Sequence, residues 1–141
     1  RKTVELSPPD IGRLWLGLGG AELAAGNIEA AIDALDRAAA LMPGDPSVRD
    51  ALARARQVRA ERLRRRYEAA IAADGAGRHE DAIVLYREIL EVQPDHPPTL
   101  FNLGRALVTV GRPGEAIEPL RHGLGLREDP RARALLEQIT R

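Results

Sequence analysis

Sliding the sequence against itself by 34 residues lays Gly77 on Gly111, Arg78 on Arg112, Ala82 on Ala116, Ile83 on Ile117, Arg87 on Arg121 and Leu90 on Leu124. A period of that size is the mark of a stacked array, in which one supersecondary unit is copied along the chain. Each copy reads as two helical segments around a Gly-containing turn. In the last copy the first helix is expected from about Pro98 to Val110 and the second from about Gly114 to Leu126. The stretch Gly12 to Asp45 has the same layout: Gly26 sits at its turn, Ala31-Ile32 opens its second helix and Met42-Pro43-Gly44 closes it.

Trp15-Leu16-Gly17-Leu18-Gly19, followed by Ala31, Leu35, Ala38 and Pro43, resembles the tetratricopeptide repeat. That family's pattern is Trp, two residues, Leu-Gly, two residues, Tyr, then Ala, three residues, Phe and a final Pro. The middle copy keeps Ala70, Gly77, Ala82, Tyr86 and Pro94, and the last keeps Leu100, Leu103-Gly104, Leu107, Gly111, Ala116 and Leu120. Three copies, 12–45, 63–96 and 97–130, cover 102 of the 141 residues. The resemblance implies an all-α, tetratricopeptide-type helical-hairpin solenoid, a right-handed superhelix of about seven helices. Two positions depart from the pattern, Glu22 for Tyr and Glu128 for the closing Pro. Pro119, with Gly123 and Gly125 behind it, marks the last copy's second helix as the weakest.

Residue size follows from stacking. Gly19, Ala31, Ala70, Ala82, Gly104 and Ala116 suit close helix crossings, while Trp15, Leu18, Leu35, Tyr86, Leu103 and Leu120 fill the space between neighbours. No copy buries its apolar face alone, so stability comes from contact with the next. Residues 1–11 read as an extended lead-in, with Ser7-Pro8-Pro9-Asp10 ending in a helix start. Residues 131–141 read as a capping helix that turns Leu135, Leu136 and Ile139 towards the array.

The 17 residues 46–62 interrupt the period by half a repeat. Pro46-Ser47 gives a helix start, no Gly or Pro follows until Gly75, and good helix formers dominate between. One continuous helix from about 47 to 74 is therefore expected, its first half closing the first copy and its second half opening the middle one. Between Arg49 and Arg66 it carries eight arginines against Asp50 and Glu61, a local balance of +6. They point around the whole helix rather than along one stripe, which favours solvated side chains over a phosphate-tracking surface. Binding of an anionic partner by the Arg-rich helix 49–66 is the alternative.

Chemistry finds little purchase. There is no cysteine, so disulfides, thiol nucleophiles and thiolate metal sites are excluded. His79, His96 and His122 make no metal-binding pair and read as solvated. Gly17-Leu18-Gly19-Gly20 lacks the preceding strand and the following Gly-Lys-Ser/Thr of a phosphate loop, and reads as close-packing glycine in a helix. Asp33, Asp36, Asp81, Glu115 and Glu118 read as a charged outer face. No catalytic residue, metal or cofactor is expected. A net charge of zero argues against a general nucleic-acid binder, and no apolar run reaches the roughly 20 residues of a membrane span. Twenty arginines to one lysine, with 23 alanines, fit a GC-rich bacterial genome. The start at Arg1 suggests a soluble piece of a longer protein, and nothing separates cytoplasm from periplasm.

What the resemblance implies is a binding groove lined by the first helices of the repeats. Carried over by position, its residues are Arg13, Leu16, Gly20 and Leu23 in the first copy; Arg64, Tyr67, Ile71 and Asp74 in the middle one; and Phe101, Asn102, Arg105, Val108 and Thr109 in the last. An Asn at the place of Asn102 often bonds a bound peptide's backbone, and Arg105 could meet a carboxylate. The Lys/Asn set of chaperone-binding relatives is absent, with Leu16 and Gly20 in its first places. Tyr67 and Phe101 are the anchors, because partly exposed aromatics often dominate interface energy. The expected partner is a protein or peptide. A structural spacer or a self-associating (homo-oligomeric) module is the rival reading.

Overall fold

The computed structural model describes residues 3–141, which form seven α-helices and no strand. They are α1 (Pro8–Ala25), α2 (Ile28–Leu41), α3 (Pro46–Gly75), α4 (His79–Val92), α5 (Pro97–Thr109), α6 (Pro113–Leu126) and α7 (Pro130–Ile139). The all-α helical-repeat fold expected from the period is the one observed.

Local chemistry sets the ends of these helices. Ser7 caps α1: its Oγ accepts from the Asp10 N–H at 3.3 Å, and Asp10 Oδ2 accepts from the Ser7 N–H at 3.2 Å. With both orphan donors satisfied and two prolines in a first turn that needs no N–H donor, the helix begins at Pro8. It starts four residues inside the stretch expected to be extended, whose first two residues, Arg1 and Lys2, lie outside the described ones. Each hairpin turns on a left-handed glycine at the same repeat position: Gly26 (φ 84°), Gly77 (φ 82°) and Gly111 (φ 80°). The residue after each glycine donates back across the turn: Asn27 to Glu22, Arg78 to Ala73 and Arg112 to Leu107. An L side chain with that φ costs roughly 1–2 kcal/mol, which explains why the period keeps glycine there.

α3 runs 30 residues without a break, about 45 Å at the usual rise. The chain divides into two compact units within it, one ending at Arg62 and the other spanning Leu63–Arg141. In the N-terminal unit, Ile28, Ile32, Leu35 and Ala38 of α2 pack with Val48, Ala51, Leu52 and Ala55 of α3. Trp15, Leu16, Leu23 and Met42 lean on this core. Close approach of α1 and α2 rests on Gly19, where a Cβ would come within 2.6 Å of Leu35 Cγ.

The arginines of α3 in this unit are exposed or half-exposed, and three of them also have partners. Arg62 Nη1 donates to the Gly26 carbonyl at 2.8 Å, Arg56 pairs with Asp36 at 3.4 Å and Arg59 with Glu29 at 3.7 Å. Three side chains of the arginine run thus fasten α3 to α2 and to the end of α1.

The C-terminal unit centres on Tyr86, Ile83, Leu103, Leu107 and Leu120, with Ala70, Ala73, Ala82, Ala106 and Ala116 at the crossings. Leu135, Leu136 and Ile139 of α7 pack against it. α6 continues through Pro119 to Leu126 despite the donor that proline lacks. One expected filler is placed differently: Leu18 is 45% exposed, whereas Leu103, at the same repeat position, is 4% exposed.

Candidate functional site

The site residues expected in the middle and last copies all fall in the C-terminal unit. Tyr67, Phe101, Asn102 and Arg105 line one cleft of about 230 Å³, together with Pro98, Leu120, Arg127, Asp129, Arg131, Ala132 and Leu135. Ile71, Asp74 and Thr109 line a neighbouring recess of about 340 Å³ with Gly75 and His79. Arg105 borders both. Successive turns of α3 (Tyr67, Ile71, Asp74) and α5 (Phe101, Arg105, Thr109) supply this face, because residues three or four apart share one side of a helix.

A polar chain fixes the cleft. Asn102 Nδ2 donates to the Tyr67 hydroxyl at 3.1 Å, and Arg105 Nη2 donates to Asn102 Oδ1. Asn102, expected to hold a peptide backbone, thus spans α3 and α5 and orients two neighbours. Next to it, Asp74 Oδ2 accepts from the buried Tyr86 hydroxyl at 3.1 Å, and Asp74 Oδ1 lies 2.5 Å from His79 Nδ1. Burial first, then the Asp74 charge, pushes the Tyr86 phenol well above its ordinary range, so it stays a neutral donor.

Phe101 has two roles. Its ring is half-buried on the core and also walls the cleft. A Cβ at Gly123 would stand 2.6 Å from Phe101 Cε1, so the glycine read as a helix weakener is what admits the ring. Arg127 lies over the ring, 5.7 Å from its centroid. Arg127, Asp129 and Arg131, which follow the last repeat helix, were not among the expected site residues, and Leu135 was expected only to face the array from the capping helix.

Other expected residues are placed elsewhere. Val108 packs on the core and lines neither recess. Arg64 pairs with Glu68 at 3.0 Å. In the N-terminal unit, Arg13 pairs with Asp10 at 3.1 Å, Leu16 and Leu23 lie against the core, and Gly20 is exposed.

The histidines need a correction. His79 and His96 are half-buried and hydrogen-bonded rather than solvated, His96 Nδ1 lying 2.6 Å from Thr99 Oγ1 and its ring meeting Tyr67 edge-on at 5.6 Å. Burial, then the Arg127 charge, lowers the His96 pKa, which keeps that imidazole neutral at pH 7. His122 is exposed and pairs with Asp95 at 2.7 Å. Among the described residues no group of three or more His, Cys, Asp or Glu could hold a metal ion, and no helix is long and apolar enough to cross a membrane.

Comparison with known proteins bears on the family and the fold. Residues 12–55 match one tetratricopeptide repeat family model and residues 75–139 another. No curated protein matches the sequence. Among solved structures, a MamA point mutant is 21% identical with a TM-score of 0.52, covering 91% of this chain and 62% of its own. Pseudomonas aeruginosa PilF is 20% identical with a TM-score of 0.49, covering 94% and 68%. A Thermobaculum terrenum O-GlcNAc transferase mutant is 20% identical with a TM-score of 0.45, covering 96% and 23%. Likeness at these identities is one of fold, and the chain spans about three fifths of the length of three of the MamA structures it matches.

Proposed function

The chain belongs to the tetratricopeptide repeat family, whose arrays are protein-interaction scaffolds, and on that premise we propose that it recruits a peptide or partner helix, without catalysis, along the α3–α5 face of the C-terminal unit. The observation that carries this reading is the fixed chain Tyr67–Asn102–Arg105 beside the half-buried Phe101. Side chains locked before binding lose little conformational entropy when a partner arrives. Aromatic and arginine anchors in a recess are the residues on which binding energy concentrates.

A random 12-residue displayed library, selected on the whole immobilised chain, supplies the probe. Tyr67→Ala and Arg105→Ala are expected to weaken the selected peptides at least tenfold per folded molecule, with Arg105→Ala, at an exposed position, leaving helical content and melting nearly unchanged. Arg13→Ala, in the N-terminal unit, should leave affinity as it is. Phe101→Ala separates the ring's two roles: a fall in affinity per folded molecule supports the site. Unfolding of the C-terminal unit with that affinity intact assigns the ring to the core alone.

A further inference from the structure

The cleft has an uneven charge. Arg105, Arg127 and Arg131 line it against one carboxylate, Asp129, in a chain of zero net charge. That carboxylate is engaged, accepting from the Ala132 N–H at 2.9 Å as the cap of α7. Two other arginines of the same unit, by contrast, are neutralised. Arg112 is held by Glu115 through Nε at 2.6 Å and Nη2 at 2.9 Å, and Arg133 by Glu128 through two contacts of 2.6 Å. Among the described residues no carboxylate is within ion-pair distance of Arg105, Arg127 or Arg131. Arg105 is bound to the neutral Asn102 and Arg127 faces the Phe101 ring. The Arg127 charge is felt within the unit, where it helps to keep His96 unprotonated.

Below this rim the lining is apolar, formed by Phe101, Leu120 and Leu135. Three guanidiniums without an ion-pair partner, offset by the single Asp129 carboxylate, surround an apolar recess and complement an apolar side chain flanked by carboxylates. Guanidinium forks bind carboxylates through paired, charge-assisted hydrogen bonds. Within a recess these are less screened than on an open surface.

Resting on the groove reading, we propose that the occupant of this cleft is an acidic extended peptide. A Leu- or Phe-sized side chain sits on the Phe101–Leu135 floor, with Asp or Glu on either side reaching Arg105 and the Arg127–Arg131 pair. A nucleic acid is the poorer fit, since the recess is sized for one side chain and offers no row of aromatic platforms for successive bases.

The test uses the whole chain and the same displayed 12-residue library, selected in parallel on the native protein and on an Arg127→Glu/Arg131→Glu variant, both residues being exposed. Native protein should enrich peptides of net charge −2 or below around a large apolar residue, and the variant should reverse that preference. Binding of a selected acidic peptide should fall at least tenfold from the native chain to the variant, and should weaken as salt rises from about 50 to 300 mM. Enrichment of neutral or basic peptides that still need Tyr67 and Arg105 would overturn the acidic proposal and leave the groove reading standing. Enrichment indifferent to Tyr67→Ala and Arg105→Ala, or no enrichment at all, would overturn both. A 12-residue oligothymidine that binds as tightly as the acidic peptide would replace the peptide by a phosphate polymer.

Discussion

The first helices of the first and last repeats, α1 and α5, occupy the same place in the period and meet different surroundings. Thr99, Leu103 and Ala106 of α5 are 0%, 4% and 1% exposed, with α4 packed alongside. Their counterparts in α1 are Leu14, 63% exposed, Leu18, 45% exposed, and the exposed Ala21. In α3 the same positions hold Arg65, Ala69 and Ala72, all exposed. The same motif therefore has different energetic value at different places, because a repeat position is buried only when another helix lies against it. Leucine at position 18 satisfies the pattern without the burial that gives the pattern its stability.

Truncation measures that difference most directly. Leu103→Ala should cost about 2–5 kcal/mol, the range for a buried leucine whose site cannot collapse. Leu18→Ala should cost about 1 kcal/mol or less, since nearly half the side chain already meets solvent. Chemical denaturation of both variants gives the two values, and equal losses would break the comparison.

Repeat chemistry made most of the fold legible. Gly26, Gly77 and Gly111 announce their turns because the left-handed backbone leaves few alternatives, and the glycine-free stretch from Ser47 to Asp74 announces the long helix. What stays illegible from one sequence is the identity of a residue's neighbours. Leu18 and Leu103 are the same amino acid at the same position. Glu115 three residues on marks a partner for Arg112, but nothing local places Arg127 over a ring. Tyr67, Phe101, Asn102 and Arg105 could be named together because the family resemblance carries its groove positions onto them. Arg127 and Arg131 could not, since they follow the last copy's second helix, beyond the first-helix positions to which the resemblance assigns the groove. Asn102 lines the cleft, but its contacts with Tyr67 and Arg105 depend on side-chain geometry that spacing does not encode.

The contrast between the two units sharpens with a break in α3. Arg59→Pro removes the bond to the Ala55 carbonyl and sets a ring against that turn, at a cost of about 3 kcal/mol. Ala55 is buried in the N-terminal core, so that unit should lose the stability. Amide exchange should rise in α2 and the first half of α3, with the amides of Tyr86 and Leu107 protected as before. Equal losses of protection in both units would mean that they do not carry their stability separately.

The smallest effect concerns Gly17 and Gly20 of α1. Neither has the positive φ that would require glycine. A Cβ built at either meets nothing within 4 Å. Gly104 in α5 differs, since its Cβ would meet Leu120 Cγ and Cδ2 at 2.6 Å. Helix-interior glycine is less favourable than alanine by about 0.5–1 kcal/mol, mainly through the backbone entropy it gives up. Gly17→Ala and Gly20→Ala should each raise stability by about that amount, read as a higher denaturation midpoint at unchanged slope. Gly104→Ala should lower it, because Leu120 must leave a packed position to admit the methyl group. Opposite signs at positions on equivalent helices would show that α1 keeps these glycines for no contact within the chain. A loss of stability at Gly17 would mean instead that its bare backbone is closely packed in solution.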